Sequence, residues 1–193
     1  MVEIYPDAQP TIGPPIENGF YYDFKMDPVG DGDLKKIEKK MQEHIRANHT
    51  LTREEHDNRT LRDMFAGNPF KIEIMNDKIG VDVGSSAYRQ GDFVDLCLGP
   101  HVPSTSYLRW FKLTGTSQAY WKGDSSKESL VRIYGMCFSS KDELRERERQ
   151  IEEAKKRDHK KIGKEMELYM IDEMIGKGLP VWLPNGEILK SEI

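Results

Sequence analysis

The stretch Asp95-Leu96-Cys97-Leu98-Gly99-Pro100-His101 places a carboxylate, a thiol and an imidazole within seven residues, on a Gly-Pro turn that follows a β-prone run. Such a set can ligate zinc, pair as nucleophile and base, or bind a water, and spacing alone does not choose among these. A structural zinc site takes four ligands. The only other cysteine, Cys137, lies in the apolar run Tyr134-Gly135-Met136-Cys137-Phe138, where a buried thiol is the ordinary expectation. His101 also reads as a turn residue bonded to backbone. His44 and His49, five residues apart, do not share a helix face. With His56 and His159, which sit among charges, they read as solvated. Gly30-Asp31-Gly32-Asp33 has a Gly-x-Gly look but no phosphate fingerprint around it, and reads as a plain loop. The basic clusters Lys35-Lys36, Lys39-Lys40, Lys155-Lys156-Arg157 and Lys160-Lys161 could meet RNA phosphates, but by themselves read first as solvated helix faces that need no function.

The elements that must position these groups follow from pattern. Pro6, Pro10, Gly13, Pro14 and Pro15 block helix before Glu17 and imply an extended or looped lead-in. Gly19 to Lys25 alternates aromatic and polar residues and predicts a strand. Leu34, Ile37, Met41 and Ile45 recur at spacings of three and four, which predicts an amphipathic helix over Asp33 to Asn48. Thr52 followed by Glu55 resembles a capping box and predicts a second helix toward Phe65, ending at Gly67-Asn68-Pro69. Phe70, Ile72 and Ile74 then alternate with Lys71, Glu73 and Met75, and Asn76-Asp77-Lys78 leads to Val81 and Val83, which reads as a hairpin. Short strands are expected at Phe93 to Leu98, Leu108 to Leu113, Ala119 to Trp121 and Leu130 to Phe138. From Ser140 the composition turns to dense opposite charges, predicting a solvated helix to about Asp172, interrupted near Gly163. Gly176 to Ile193 returns to turns and apolar residues, as if opening another domain. The class is α+β: a mostly antiparallel sheet with packed helices, followed by a long charged linker helix.

Bulk properties set the frame. With 193 residues, 37% hydrophobic and 32% charged, and a mean hydropathy of -0.70, the chain is globular in composition. A net charge of -4 argues against general coating of nucleic acid, so RNA contact would come from local basic faces. Two cysteines, no secretory apolar segment and no apolar run long enough for a membrane span predict a cytoplasmic protein without a disulfide framework.

Several runs together are similar to the successive signatures of the threonyl-tRNA synthetase editing domain. They are Tyr5-Pro6-Asp7-Ala8, Thr11-Ile12-Gly13-Pro14-Pro15 through Phe20-Tyr21-Tyr22-Asp23, Val94-Asp95-Leu96-Cys97-Leu98-Gly99-Pro100-His101, Ala119-Tyr120-Trp121-Lys122-Gly123-Asp124 and Arg132-Ile133-Tyr134-Gly135. Glu153 to Lys164 resembles the helix leading into a class II synthetase core, and Leu183-Pro184-Asn185-Gly186 resembles the approach to its first motif. The resemblance implies an editing domain over 1–139, a linker helix over 140–175 and the start of the core over 176–193.

It also implies a function: hydrolysis of serine wrongly attached to tRNA(Thr), within a threonine-tRNA ligase. An inert tRNA-binding module and a free-standing deacylase are the alternatives. Serine lacks only a methyl group relative to threonine, a difference worth about 1–3 kcal/mol and too small for accurate selection in one step. By resemblance His101 and Lys71 orient or activate water, Asp95 and Tyr22 position the substrate, and Cys97 shapes the pocket. ATP, magnesium, zinc and a homodimer are implied for the parent enzyme, and no cofactor for this chain alone. The family carries a His-x-x-x-His pair just upstream of the Tyr5-Pro6 position, and that pair would complete a zinc tetrad. Since this sequence begins at Met1-Val2-Glu3-Ile4, metal binding and full activity are not expected of it alone. Without the arginine motifs of a class II core it is not expected to adenylate an amino acid. Leu98 stands where the family usually has Arg.

Overall fold

The computed structural model describes residues 1–17, 19–78, 84–172, 174–176 and 178–192, and the chain divides into two compact units, Met1–Leu144 and Arg145–Ile193. In chain order the first unit holds β1 (Gln9–Pro10), β2 (Pro15–Ile16), β3 (Gly19–Lys25), α1 (Asp31–Ala47), β4 (Leu51–His56), α2 (Asn58–Met64), α3 (Pro69–Lys78), β5 (Ser85–Gln90), β6 (Phe93–Leu96), a 3-10 turn at Thr105–Leu108, β7 (Trp110–Tyr120) and β8 (Ser129–Phe138). The helix α4 (Lys141–Lys156) begins at its end.

Two antiparallel sheets organise this unit, so the class is α+β. One runs in the order β1-β3-β8-β7, with β2 also paired to β3; the other runs β4-β5-β6. The predicted strand at Gly19 to Lys25 and the predicted amphipathic helix are both present. α1 lays Leu34 and Ile37 on Phe24, Leu113, Val131 and Ile133 of the larger sheet, and this is the main core. The runs expected separately at Leu108 to Leu113 and Ala119 to Trp121 are one long β7, because the slip in register between Leu113 and Gly115 is absorbed without leaving the sheet.

Two local expectations fail for tertiary reasons. Thr52 does not open a helix: Leu51–His56 pairs residue by residue with Ser85–Gln90, and the helix cap is Asp57, whose carboxylate accepts from Thr60 N at 2.7 Å. Pairing with β5 satisfies the backbone that a local capping box would otherwise serve. Nor is the segment after Pro69 a hairpin. It is helix α3, lying between two apolar clusters: Phe70 and Ile74 pack with Trp121 and Leu130, while Ile72 and Met75 pack with Leu61, Phe65 and Ala87. A helix buried on two sides has no single apolar face, so its period-two alternation misleads. Val81 and Val83, the expected return strand, lie outside the described residues.

In the second unit the charged helix does not continue to Asp172. α4 ends at Lys156, and Asp158 caps a new helix, α5 (His159–Glu165), by accepting from Lys160 N and Lys161 N. Gly163, expected as the interruption, is buried inside α5, where a Cβ would meet the Tyr169 ring at 2.3 Å. Then β9 (Tyr169–Ile171) pairs with β10 (Pro180–Trp182), followed by α6 (Pro184–Glu192).

Candidate active site

Three of the residues singled out by sequence meet at one point. Tyr22 comes from the interior of the larger sheet, Asp95 from β6 at the edge of the smaller one, and Lys71 from the first turn of α3. Asn68 sets that turn: its side-chain oxygen accepts from Lys71 N at 3.2 Å, and its amide donates to Pro10 O at 2.8 Å. Pro69 follows at the first helical position, where no N–H is needed. The punctuation Gly67-Asn68-Pro69 is thus a helix start, tied to the lead-in of the Tyr22 strand.

Lys71 Nζ lies 2.5 Å from Asp95 Oδ1 and donates to Tyr22 Oη at 3.1 Å. The Tyr22 hydroxyl donates in turn to Asp95 Oδ2, and Leu96 N donates to Asp95 Oδ1 at 2.8 Å. Both carboxylate oxygens are engaged. The lysine side chain is 3% exposed and the aspartate 17%, so this is a nearly buried ion pair, tolerable because both carboxylate oxygens and two of the three ammonium N–H groups are satisfied. Burial, and next the Asp95 charge, push the Tyr22 phenol far above its ordinary pKa. Tyr22 therefore stays a neutral donor to the carboxylate.

The loop beyond β6 carries the other two. Cys97 N donates to Ser86 O at 3.2 Å and Ser86 Oγ donates to Cys97 O at 2.7 Å, with Ser86 itself buried. The Cys97 sulfur accepts from Gly99 N at 3.3 Å. Tyr88 is the register partner of Asp95, so the two side chains share a sheet face. Against Tyr88 stands the His101 ring, edge on, with centroids 4.2 Å apart. His101 makes no hydrogen bond with the Lys71–Tyr22–Asp95 group; it is held beside it through Tyr88. Burial lowers the imidazole pKa below its usual 6.5, opposed by the Asp95 charge, which leaves the ring neutral and able to take a proton near pH 7. Gly99, at φ +74, is required here: a Cβ would lie 2.1 Å from the Tyr88 hydroxyl oxygen.

Ser86 and Tyr88 were not singled out by sequence reading. Their signal is alternation in Ser85–Gln90, which puts them on the Asp95 side only once β5 is registered against β6. Leu98, the residue at the usual Arg position, is 76% exposed. Among the described residues no group of three or more His, Cys, Asp or Glu is placed to share a metal ion. Cys97 and His101 are at most two of the four ligands that a structural zinc site takes. Among the described residues no helix is long and apolar enough to cross a membrane.

Residues 86–134, which include β5, β6 and the His101 loop, match the family described as the threonyl and alanyl tRNA synthetase second additional domain. The chain is 48% identical over 192 residues to a threonine–tRNA ligase of Campylobacter lari, covering 98% of this chain and 31% of that protein. It is 45% identical over 194 residues to that of Staphylococcus epidermidis, covering 100% and 30%. Against the Thermoplasma volcanium ligase the figures are 46% over 193 residues, 100% and 29%. The chain spans about a third of the length of these relatives.

Proposed function

The chain belongs to the threonine–tRNA ligase family, over the part of its members that contains the second additional domain, and from that premise we propose that it is a hydrolytic editing region that removes serine from mischarged tRNA(Thr). The observation that carries this reading is the convergence of Lys71, Tyr22 and Asp95, with separations of 49 and 73 residues, beside the loop that bears His101. A core has no need of a nearly buried lysine–carboxylate pair, and apolar replacements of such pairs are often as stable. A site that handles an ester has such a need.

The chemistry is attack of water on the seryl ester carbonyl, with the 3′-terminal ribose as leaving group. His101, neutral and on the exposed side of the loop, takes the proton from water. Lys71 commits one N–H to Asp95 and one to Tyr22, which leaves its third N–H and its positive field for the carbonyl oxygen as negative charge develops. It is no base while tied to Asp95. Asp95 and Tyr22 hold Lys71 and the substrate hydroxyl in place, and Cys97 fixes the loop through its bond from Gly99 N.

The test is hydrolysis of seryl-tRNA(Thr) and threonyl-tRNA(Thr) by the chain and by Lys71→Ala/His101→Ala. The expected result is serine-selective hydrolysis that falls by about 10²-fold or more in the double variant. Equal rates for parent and variant, or no hydrolysis by either, refute the assignment. The latter outcome leaves an inert RNA-binding module.

A further inference from the structure

A cavity of ≈ 570 Å³ lies between the end of α1 and the 3-10 turn at Thr105–Leu108, lined by Gln42, Ile45, Arg46, Asn48, Ser106 and Arg109. It presents two guanidinium groups, two side-chain amides, a hydroxyl and no carboxylate. Among the described residues neither Arg46 nor Arg109 forms an ion pair. Glu43, the nearest acid in sequence on α1, is paired with Lys40 at 3.3 Å. Arg109 Nε donates to Ser106 O at 3.0 Å, which holds the guanidinium by one edge and leaves its outer N–H groups open.

The end of a helix ordinarily repels anions, because its last carbonyls carry partial negative charge. Here two of those carbonyls, His44 O and Ile45 O, are occupied, and the chain just beyond the helix is tied to the 3-10 turn. Thr105 Oγ1 donates to His44 O at 2.8 Å, Thr105 N donates to His49 O at 2.9 Å, and Asn48 N donates to Ile45 O at 3.2 Å. A second cavity, lined in part by Tyr21, Asp23, Lys122 and Arg132, is different in kind. Two of its three cations are already matched, Arg132 with both oxygens of Asp23 and Lys122 with Glu73 and Asp77, and two carboxylates, Asp23 and Asp77, stand in the lining beside Lys78.

The position of the arginine cavity gives its ligand. Ser106 follows His101 by five residues, so its Cα lies at most about 18 Å away. The intervening chain is pinned, with Leu51 N donating to Pro103 O at 3.0 Å and Thr50 bridged to Ser104. That is a span covered by a few nucleotides of single-stranded RNA.

We propose that Arg46 and Arg109, with Gln42, Asn48 and Ser106, form a phosphodiester subsite that grips the single-stranded 3′ tail of tRNA a few nucleotides before the esterified adenosine. The proposal rests on the reading of this chain as acting at a tRNA 3′ end. The paired guanidiniums supply bidentate, charge-assisted donors to phosphate oxygens and the amides supply neutral ones, while Ser106 braces the wall by donating its O–H to Ser104 Oγ, which donates in turn to Asn48 Oδ1. No base edge needs to be read, because tRNA tails share one sequence and the arginines contact the backbone.

The test is titration of the 193-residue chain, followed by fluorescence anisotropy, with a labelled RNA hairpin ending in a single-stranded CCA and with the blunt hairpin, across a series of KCl concentrations. Circular dichroism checks that each variant is folded. For Arg46→Ala/Arg109→Ala, affinity for the tailed hairpin should fall about tenfold, and the slope of log K against log salt should flatten by about 1.4, two single-strand contacts' worth. Affinity for the blunt hairpin should be unchanged. Arg46→Lys/Arg109→Lys should keep the slope and lose part of the affinity. Equal loss on both hairpins, no loss on the tailed one, or no binding of the tailed hairpin by the unaltered chain overturns the proposal. Because the readout is binding, a chain that passes here and fails to hydrolyse seryl-tRNA keeps the subsite and loses the hydrolytic reading. The reverse pattern removes the subsite alone.

Discussion

Lys71→Met keeps the length of the side chain and removes its charge and donors. Asp95 would keep its bonds from the Tyr22 hydroxyl and Leu96 N–H but lose the counter-charge 2.5 Å away. Removing one partner of a buried pair costs about 3–5 kcal/mol. Asp95 is 17% exposed, so water recovers part of this and about 3 kcal/mol is expected. Asp95→Asn leaves the Lys71 ammonium unpaired at 3% exposure and should cost a similar amount. In Lys71→Met/Asp95→Asn no buried charge remains, and the amide oxygen introduced at position 95 still accepts from Leu96 N–H. The double variant should therefore lose no more than either single one, about 3 kcal/mol at most, rather than the additive sum of about 6 kcal/mol, a coupling of at least about 3 kcal/mol. Urea unfolding of the four proteins, followed by far-UV circular dichroism at one protein concentration, measures this. Additivity to within about 0.5 kcal/mol would refute the coupled pair. Hydrolysis of seryl-tRNA(Thr) separates structure from chemistry. The double variant, no less stable than either single one, should remain about 10²-fold slow, since the donor to the carbonyl oxygen is gone. A rate that returned to the parent value would make Lys71 purely structural.

The lowered His101 pKa fixes a pH dependence. Hydrolysis needs the neutral ring, so the rate should rise with pH and level off with a midpoint below 6.5. Asp95 favours the imidazolium, so Asp95→Asn should move that midpoint lower still, as read from the His101 ring proton by NMR titration. The same shift bears on stability: the unfolded chain takes up the proton first, so this group erodes stability as pH falls through 6.5, seen as a falling urea midpoint. Gly99→Ala, with φ +74 and a Cβ 2.1 Å from the Tyr88 hydroxyl oxygen, should displace the His101 loop and slow hydrolysis at least about tenfold, with partial recovery on adding Tyr88→Phe. Asp23→Asn breaks the two-pronged bond to Arg132, which also stacks on Tyr21 at 3.8 Å, and should lower stability by about 2–3 kcal/mol in urea melts while the blunt-hairpin affinity stays constant.

Much of the site was legible because its residue types cluster in short runs. The Asp95-to-His101 segment stands out in sequence by chemistry, and Tyr22 and Lys71 enter by resemblance to known synthetase runs. Their meeting was not legible from periodicity. Lys71 lay in a stretch whose alternation suggested a strand, and a strand would have turned it away from Phe70 and Ile72 without any reason to reach Asp95. Only as the third residue of a helix capped by Asn68 does it point at both Tyr22 and Asp95. Tyr88 and Ser86 carried no signal until β5 was aligned with β6.

By itself the sequence determined the elements whose patterns have one meaning: the aromatic alternation of Gly19–Lys25, the three-and-four spacing of α1, and the prolines that keep residues 6–15 out of helix. It also determined which groups are available for chemistry, since side-chain type does not depend on fold. Tertiary structure decided the rest. It made Leu51–His56 a strand by supplying β5 as a partner, and it made Pro69–Lys78 a helix by burying it on two sides. It brought together three residues whose separation in the chain no local rule can close. The physical reason is common to all three: local preferences are worth about 1 kcal/mol, whereas pairing a strand or burying a helix decides many backbone and apolar groups at once.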